Sequence, residues 1–132
     1  LRVKFMAAHR KRVPQDIPQA VESAHELLGW IIQQLDKFPR NRRFTLGERL
    51  EHALIETLEL LVEAAYSRNK RTPLNRANLR LEIVRHLWRL SHELRLISTK
   101  RYATGSAQID NLGRQIGGWL RSRPQPKAST EA

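Results

Sequence analysis

Apolar residues recur every three or four positions through four long stretches of this chain, and nowhere do they alternate with the two-residue period of a half-buried strand. That pattern confines the fold to packed helices. The first stretch runs from about Ile17 to Phe38, with Val21, Ala24, Leu28, Ile31, Leu35 and Phe38 on one face. Asp16 is placed to cap it, and Pro39 ends it. The second begins at Thr45, where Thr45 and Glu48 have the spacing of a capping box, and continues to Tyr66. Thr72 and Pro73 supply a cap and a first-turn proline for the third. Ser98 caps the fourth, whose apolar line is Tyr102, Ile109, Leu112, Ile116 and Trp119. Short connections between long helices favour antiparallel neighbours, so the expected fold is an all-α, up-down-up-down four-helix bundle. It occupies residues 17–122, between a basic N-terminal arm (1–16) and a polar, Pro-containing tail (123–132) expected to be disordered.

The second helix is more apolar than one core requires. Leu50, Leu54, Leu58, Leu61 and Ala65 form one stripe, while Ala53, Thr57, Leu60 and Ala64 form another, rich in small residues. A single core takes only one such face, so the second is expected to meet a neighbouring subunit. In the fourth helix, glycine is an expensive choice at roughly 1 kcal/mol each relative to alanine. Gly113 and Gly117, four residues apart, are therefore expected where another helix approaches closely.

Charge is the strongest functional signal. Twenty-four Lys and Arg against 13 Asp and Glu leave a formal +11, the balance of a domain that binds phosphate-rich nucleic acid. Arginine outnumbers lysine, which favours forked contacts to phosphate. The chain has no cysteine, hence no disulfide or thiolate chemistry, as suits a cytoplasmic protein. It has no apolar run long enough to span a membrane, and its first residues lack the apolar core of a secretion signal.

Catalytic signatures are missing from it. No nucleophile elbow, phosphate-binding loop or His-Glu-x-x-His occurs. A di-metal site in a bundle needs Glu-x-x-His on two helices, and only Glu22 with His25 fits, so no metal and no cofactor are expected. The chain reads as a non-enzyme.

The cations gather at the ends of the expected bundle. Arg40, Arg42 and Arg43, with Lys37, Lys100 and Arg101, mark one end and form a secondary patch. The other end collects Arg10, Lys11 and Arg12 of the arm, and Arg68, Lys70, Arg71, Arg76 and Arg80 around the second connection. Arg85 and Arg89 extend the latter along the third helix. These are the expected phosphate-binding residues. No module that reads bases is recognisable.

"FPRNRRFTLGERLEHALIETLELLVEAAYS", "ANLRLEIVRHLWRLSHELRLIS" and "GRQIGGWLRS", in this order, resemble the accessory variability determinants of diversity-generating retroelements. Proteins encoded in intervening sequences of bacterial 23S ribosomal RNA genes are related to them. The most specific pieces are Phe38-Pro39 leading to Phe44-Thr45-Leu46-Gly47, then Leu87-Trp88-Arg89-Leu90, then Gly113-Arg114 through Gly117-Gly118-Trp119. The resemblance implies four-helix protomers in a pentameric barrel with a basic surface. It also implies a non-catalytic partner that binds the reverse transcriptase and the template RNA in mutagenic retrohoming. An intervening-sequence-type RNA-binding bundle without a polymerase partner, or a protein-only scaffold, fits the same residues.

Overall fold

The computed structural model describes residues 18–122. The expected arm and tail lie outside them, as does the cap expected from Asp16. Four long helices account for most of the described residues, and no strand occurs among them: α1 (Gln19–Leu35), α2 (Glu48–Tyr66), α3 (Arg71–Glu93) and α4 (Thr99–Arg121). α1 packs on α2 and α4, and α3 packs on the same two helices, which closes a four-membered bundle.

The core is built from a line of buried residues on each helix. Ala20, Ala24, Leu27, Ile31 and Leu35 come from α1, and Leu50, Leu54, Leu61 and Ala64 from α2. Leu74, Ala77, Leu81, Val84 and Trp88 come from α3, and Ile109, Leu112 and Ile116 from α4. The buried line of α1 is thus turned slightly from the expected one, with Val21 and Leu28 at the edge of the core.

α2 corrects two expectations. Ala53, Thr57, Leu60 and Ala64 are buried within the protomer, Thr57 completely, so they are not available to a neighbouring subunit. Their small size lets α2 sit between α1 and α3, and the Thr57 hydroxyl is satisfied internally by donating to the Ala53 carbonyl at 2.8 Å. The start of the helix also differs. The chain turns helical at Arg40, directly after Pro39, and passes through a π turn over Arg43–Gly47 before α2 proper. The Thr45 hydroxyl donates to the Asn41 carbonyl at 2.9 Å, inside this helical run, so Thr45 and Glu48 form no capping box.

The other termini follow local chemistry more closely. Ser98 caps α4, its hydroxyl accepting from the Arg101 amide at 3.1 Å. α3 begins at Arg71, one residue before Thr72, whose hydroxyl accepts from the Asn69 side chain at 3.0 Å. Its C-terminus closes with a Schellman motif: the Leu96 amide donates to the Ser91 carbonyl and the Arg95 amide to the His92 carbonyl, both at 2.9 Å. That geometry needs a left-handed residue, and Arg95 takes it with φ of 63°. Such a conformation costs a non-glycine residue about 1 kcal/mol. Arg95→Gly is therefore expected to stabilise the fold by up to about 1 kcal/mol, read as a rise in the urea midpoint. A fall in the midpoint would show that the Arg95 side chain holds this corner.

Candidate nucleic-acid interface

Because successive helices alternate in direction, the 36–47 junction and the 94–98 connection share one end of the bundle. The 67–70 connection lies at the other end. The arginines at these places differ in how far the protein itself has engaged them.

On α3, three expected phosphate ligands already hold carboxylates. Arg80 Nε lies 3.6 Å from Glu56 of α2. Arg85 donates to Asp110 of α4 at 2.6 Å and lies 3.6 Å from Glu82, which ties α3 to α4. Arg89 meets Glu93 at 3.4 Å, but both side chains are more than half exposed, so this pair contributes little stability and opens easily to a phosphate. Arg76 is exposed, yet it lines a groove with Glu56, Glu59 and Glu63. The acidic face of α2 thus offsets the basic face of α3 along their shared edge.

Lys70 has a structural partner as well. Its ammonium donates to the carbonyls of Ala64 and Ser67 at 2.8 and 2.9 Å, capping the C-terminus of α2, where a cation also complements the helix dipole. Arg68 beside it is exposed, and Arg71 is half-buried.

At the opposite end the order is reversed. Arg43 is the inward member of the junction cluster, bonded to Glu51 at 3.1 Å and 3.9 Å from Asp36. Arg40 and Arg42 are exposed, and the ion pairs found among the described residues include neither of them, nor Arg68 or Arg76. Arg40 lies 5.9 Å above the Phe44 ring, a large aromatic left 61% exposed. Arg10, Lys11 and Arg12 lie outside the described residues. The structure therefore divides the expected site between two ends, with exposed arginines at each: Arg40 and Arg42 at the junction, Arg68 and Arg76 at the other.

The glycine expectation shifts too. The approach that cannot yield is at Gly105, where an added Cβ would lie 2.5 Å from the rigid Trp88 ring. At Gly113 that space is taken by the flexible Arg85 side chain, and Gly117 meets only Arg121 of its own helix, at 3.2 Å.

Sequence reasoning passed over an apolar line on the outer face of α3, comprising Leu79, Ile83 and Leu90 and continued by Leu94 just past its end. The signal was present: α3 carries more large aliphatic residues than its inward face can bury. No described helix is long and apolar enough to cross a membrane. No cluster of three or more metal-ligating side chains occurs among the described residues.

A protein-family comparison, described as bAvd-like, matches residues 19–123 and so spans all four helices. The chain belongs to the bAvd-like family. The family is that of the accessory variability determinants of diversity-generating retroelements, an accessory and non-catalytic type, in agreement with the resemblance carried by the sequence. No curated protein matches the chain.

Proposed function

We propose that this bAvd-like protein is the cytoplasmic accessory subunit of a diversity-generating retroelement, binding the cognate reverse transcriptase and the template RNA during mutagenic retrohoming. It acts without catalysis, as a homo-oligomer that family likeness makes a pentamer. Family membership supports the retroelement role. The observation that carries RNA binding is the set of exposed arginines at both ends of the bundle, within a chain of net charge +11. Such a surface suits an elongated polyanion that passes from one end to the other, held by its phosphates and not by its bases.

The test is RNA affinity across a salt series. Neutralising several phosphates at once releases bound counterions, so affinity should fall linearly on logarithmic axes as salt rises. Replacing Arg40, Arg42, Arg68 and Arg76 together with Glu should weaken binding tenfold or more at about 0.1 M salt. It should also flatten the slope by about 0.7 per lost contact to single-stranded RNA. Salt-independent binding, or a variant that binds as the parent does, would remove these arginines from the interface. Co-purification with the reverse transcriptase tests the polymerase half separately.

A further inference from the structure

A folded chain hides its aromatic rings where it can, because each one carries a large apolar area. Among the described residues, Phe38 and Trp88 are buried, while Trp30, Tyr102 and Trp119 pack against the core. Phe44 and Tyr66 depart from this, at 61% and 76% exposed. They stand at opposite ends of one helix, Phe44 in the π turn that leads into α2 and Tyr66 as its last residue. Roughly 30 Å of helix separates them, at 1.5 Å per residue.

The surroundings of the two rings are alike. Arg40 lies 5.9 Å above the Phe44 ring, Arg42 is exposed just before it in the chain, and the groove that Phe44 lines also holds the exposed Arg49. Arg68 is exposed just after Tyr66. None of these four arginines takes part in the ion pairs found among the described residues. Each end of α2 thus sets a bare ring beside guanidinium groups that the protein has not engaged with carboxylates.

A single-stranded nucleic acid uses both members of such a set: a guanidinium for the phosphate and a flat face for the unpaired base. A duplex uses only the first, because its bases are already stacked on one another. A protein-binding hot spot calls for something else, an aromatic anchor rimmed by contacts that exclude water. After Tyr66 the chain supplies Ser67, Arg68 and Asn69, which leave the ring open to solvent and form no such rim. The arginines described above account for the phosphates of a bound strand, and the two rings stand where its bases would pass.

We propose that Phe44 and Tyr66 are base-stacking residues, each taking one unpaired base of a single-stranded RNA whose phosphates the neighbouring arginines hold. The inference rests on the RNA binding of the proposed function and narrows its ligand to unpaired segments. Stacking accepts any base, since every base has a π face, so the rings add affinity without reading sequence. Their contact differs in kind from that of the arginines, because it displaces no counterions and adds nothing to the salt slope.

Binding of the full chain to a single-stranded oligoribonucleotide, and to a blunt RNA duplex of the same length, tests it across a salt series. Phe44→Ala and Tyr66→Ala should each weaken single-strand binding about fivefold or more, leaving the duplex affinity and both salt slopes unchanged. Phe44→Trp and Tyr66→Trp should keep the affinity of the parent. Phe44→Leu and Tyr66→Leu, apolar but without a π face, should fall with the alanine variants. Both side chains are exposed, so every variant should retain the helical circular dichroism of the parent. Alanine variants that bind the single strand as the parent does would overturn the proposal, as would equal losses on the two RNAs or leucine variants of full affinity. A loss at only one ring would overturn the two-ended path. In each of these cases salt-dependent binding by the parent leaves the phosphate contacts standing, whereas a parent that binds neither RNA overturns both readings. Variants that bind RNA normally but no longer co-purify with the reverse transcriptase would make the rings protein contacts and overturn their stacking role.

Discussion

Trp88→Ala should remove about 4 kcal/mol of folding stability, the middle of the range for emptying a large aromatic site in a core. Trp88 is 1% exposed and lies where three helices meet. Its ring packs edge-on against Trp30 of α1 at 5.9 Å between centroids, and stacks with Tyr102 of α4 at 6.4 Å. Its indole N–H donates to the Tyr102 carbonyl at 3.0 Å. Truncation removes apolar burial, an aromatic pair and a hydrogen bond together, and leaves a void that rigid helices fill poorly. Urea unfolding followed by circular dichroism measures the loss. A loss below about 1 kcal/mol would mean that the helices collapse around the gap and that the Trp88 ring does not hold them apart.

Gly105→Ala should destabilise by about 1 to 3 kcal/mol, the range for overpacking a tight core. Helix propensity predicts the opposite sign, a gain of about 1 kcal/mol, since Gly105 lies inside α4. The deciding fact is that the new Cβ would lie 2.5 Å from Cζ2 and 2.7 Å from Cε2 of Trp88. That ring is held by Trp30, Tyr102 and its own hydrogen bond, so it has nowhere to move. The two sites must then couple. In a Trp88→Ala background the overlap is gone and Gly105→Ala should become stabilising by up to about 1 kcal/mol. Additive losses in the double variant would refute the steric account.

Much of the fold was legible because helical periodicity is a local signal. The four helices, their order and the Ser98 cap all follow from residues close together in the chain. What the sequence left hidden depended on contacts between distant residues. Gly105, Gly113 and Gly117 look alike along the chain, and only the packing of α3 on α4 shows that Trp88 rests on the first. The stripe of Ala53, Thr57, Leu60 and Ala64 looked surplus because α2 was judged alone, whereas α1 and α3 both draw on it. The engagement of the basic residues was hidden for a similar reason: counting cations ignores their carboxylates. Arg80 and Arg85 are engaged across helix boundaries by Glu56 and Asp110, partners 24 and 25 residues away in the chain. Arg43 finds Glu51 only because the π turn brings two successive helical segments into line.

That π turn has a consequence for how the molecule can change over time. A π turn carries one more residue than the α turn it replaces, so it advances the helix by about 100° without breaking it. Over Arg43–Gly47 it sets the facing of Arg40 and Arg42 independently of the facing of α2. The buried line of α2 is locked by the core, but the junction ahead of it can gain or lose one residue and dial its arginines to another bearing. The segment is a phase adjuster, letting the outer surface turn to a new bearing while the bundle beneath stays in register.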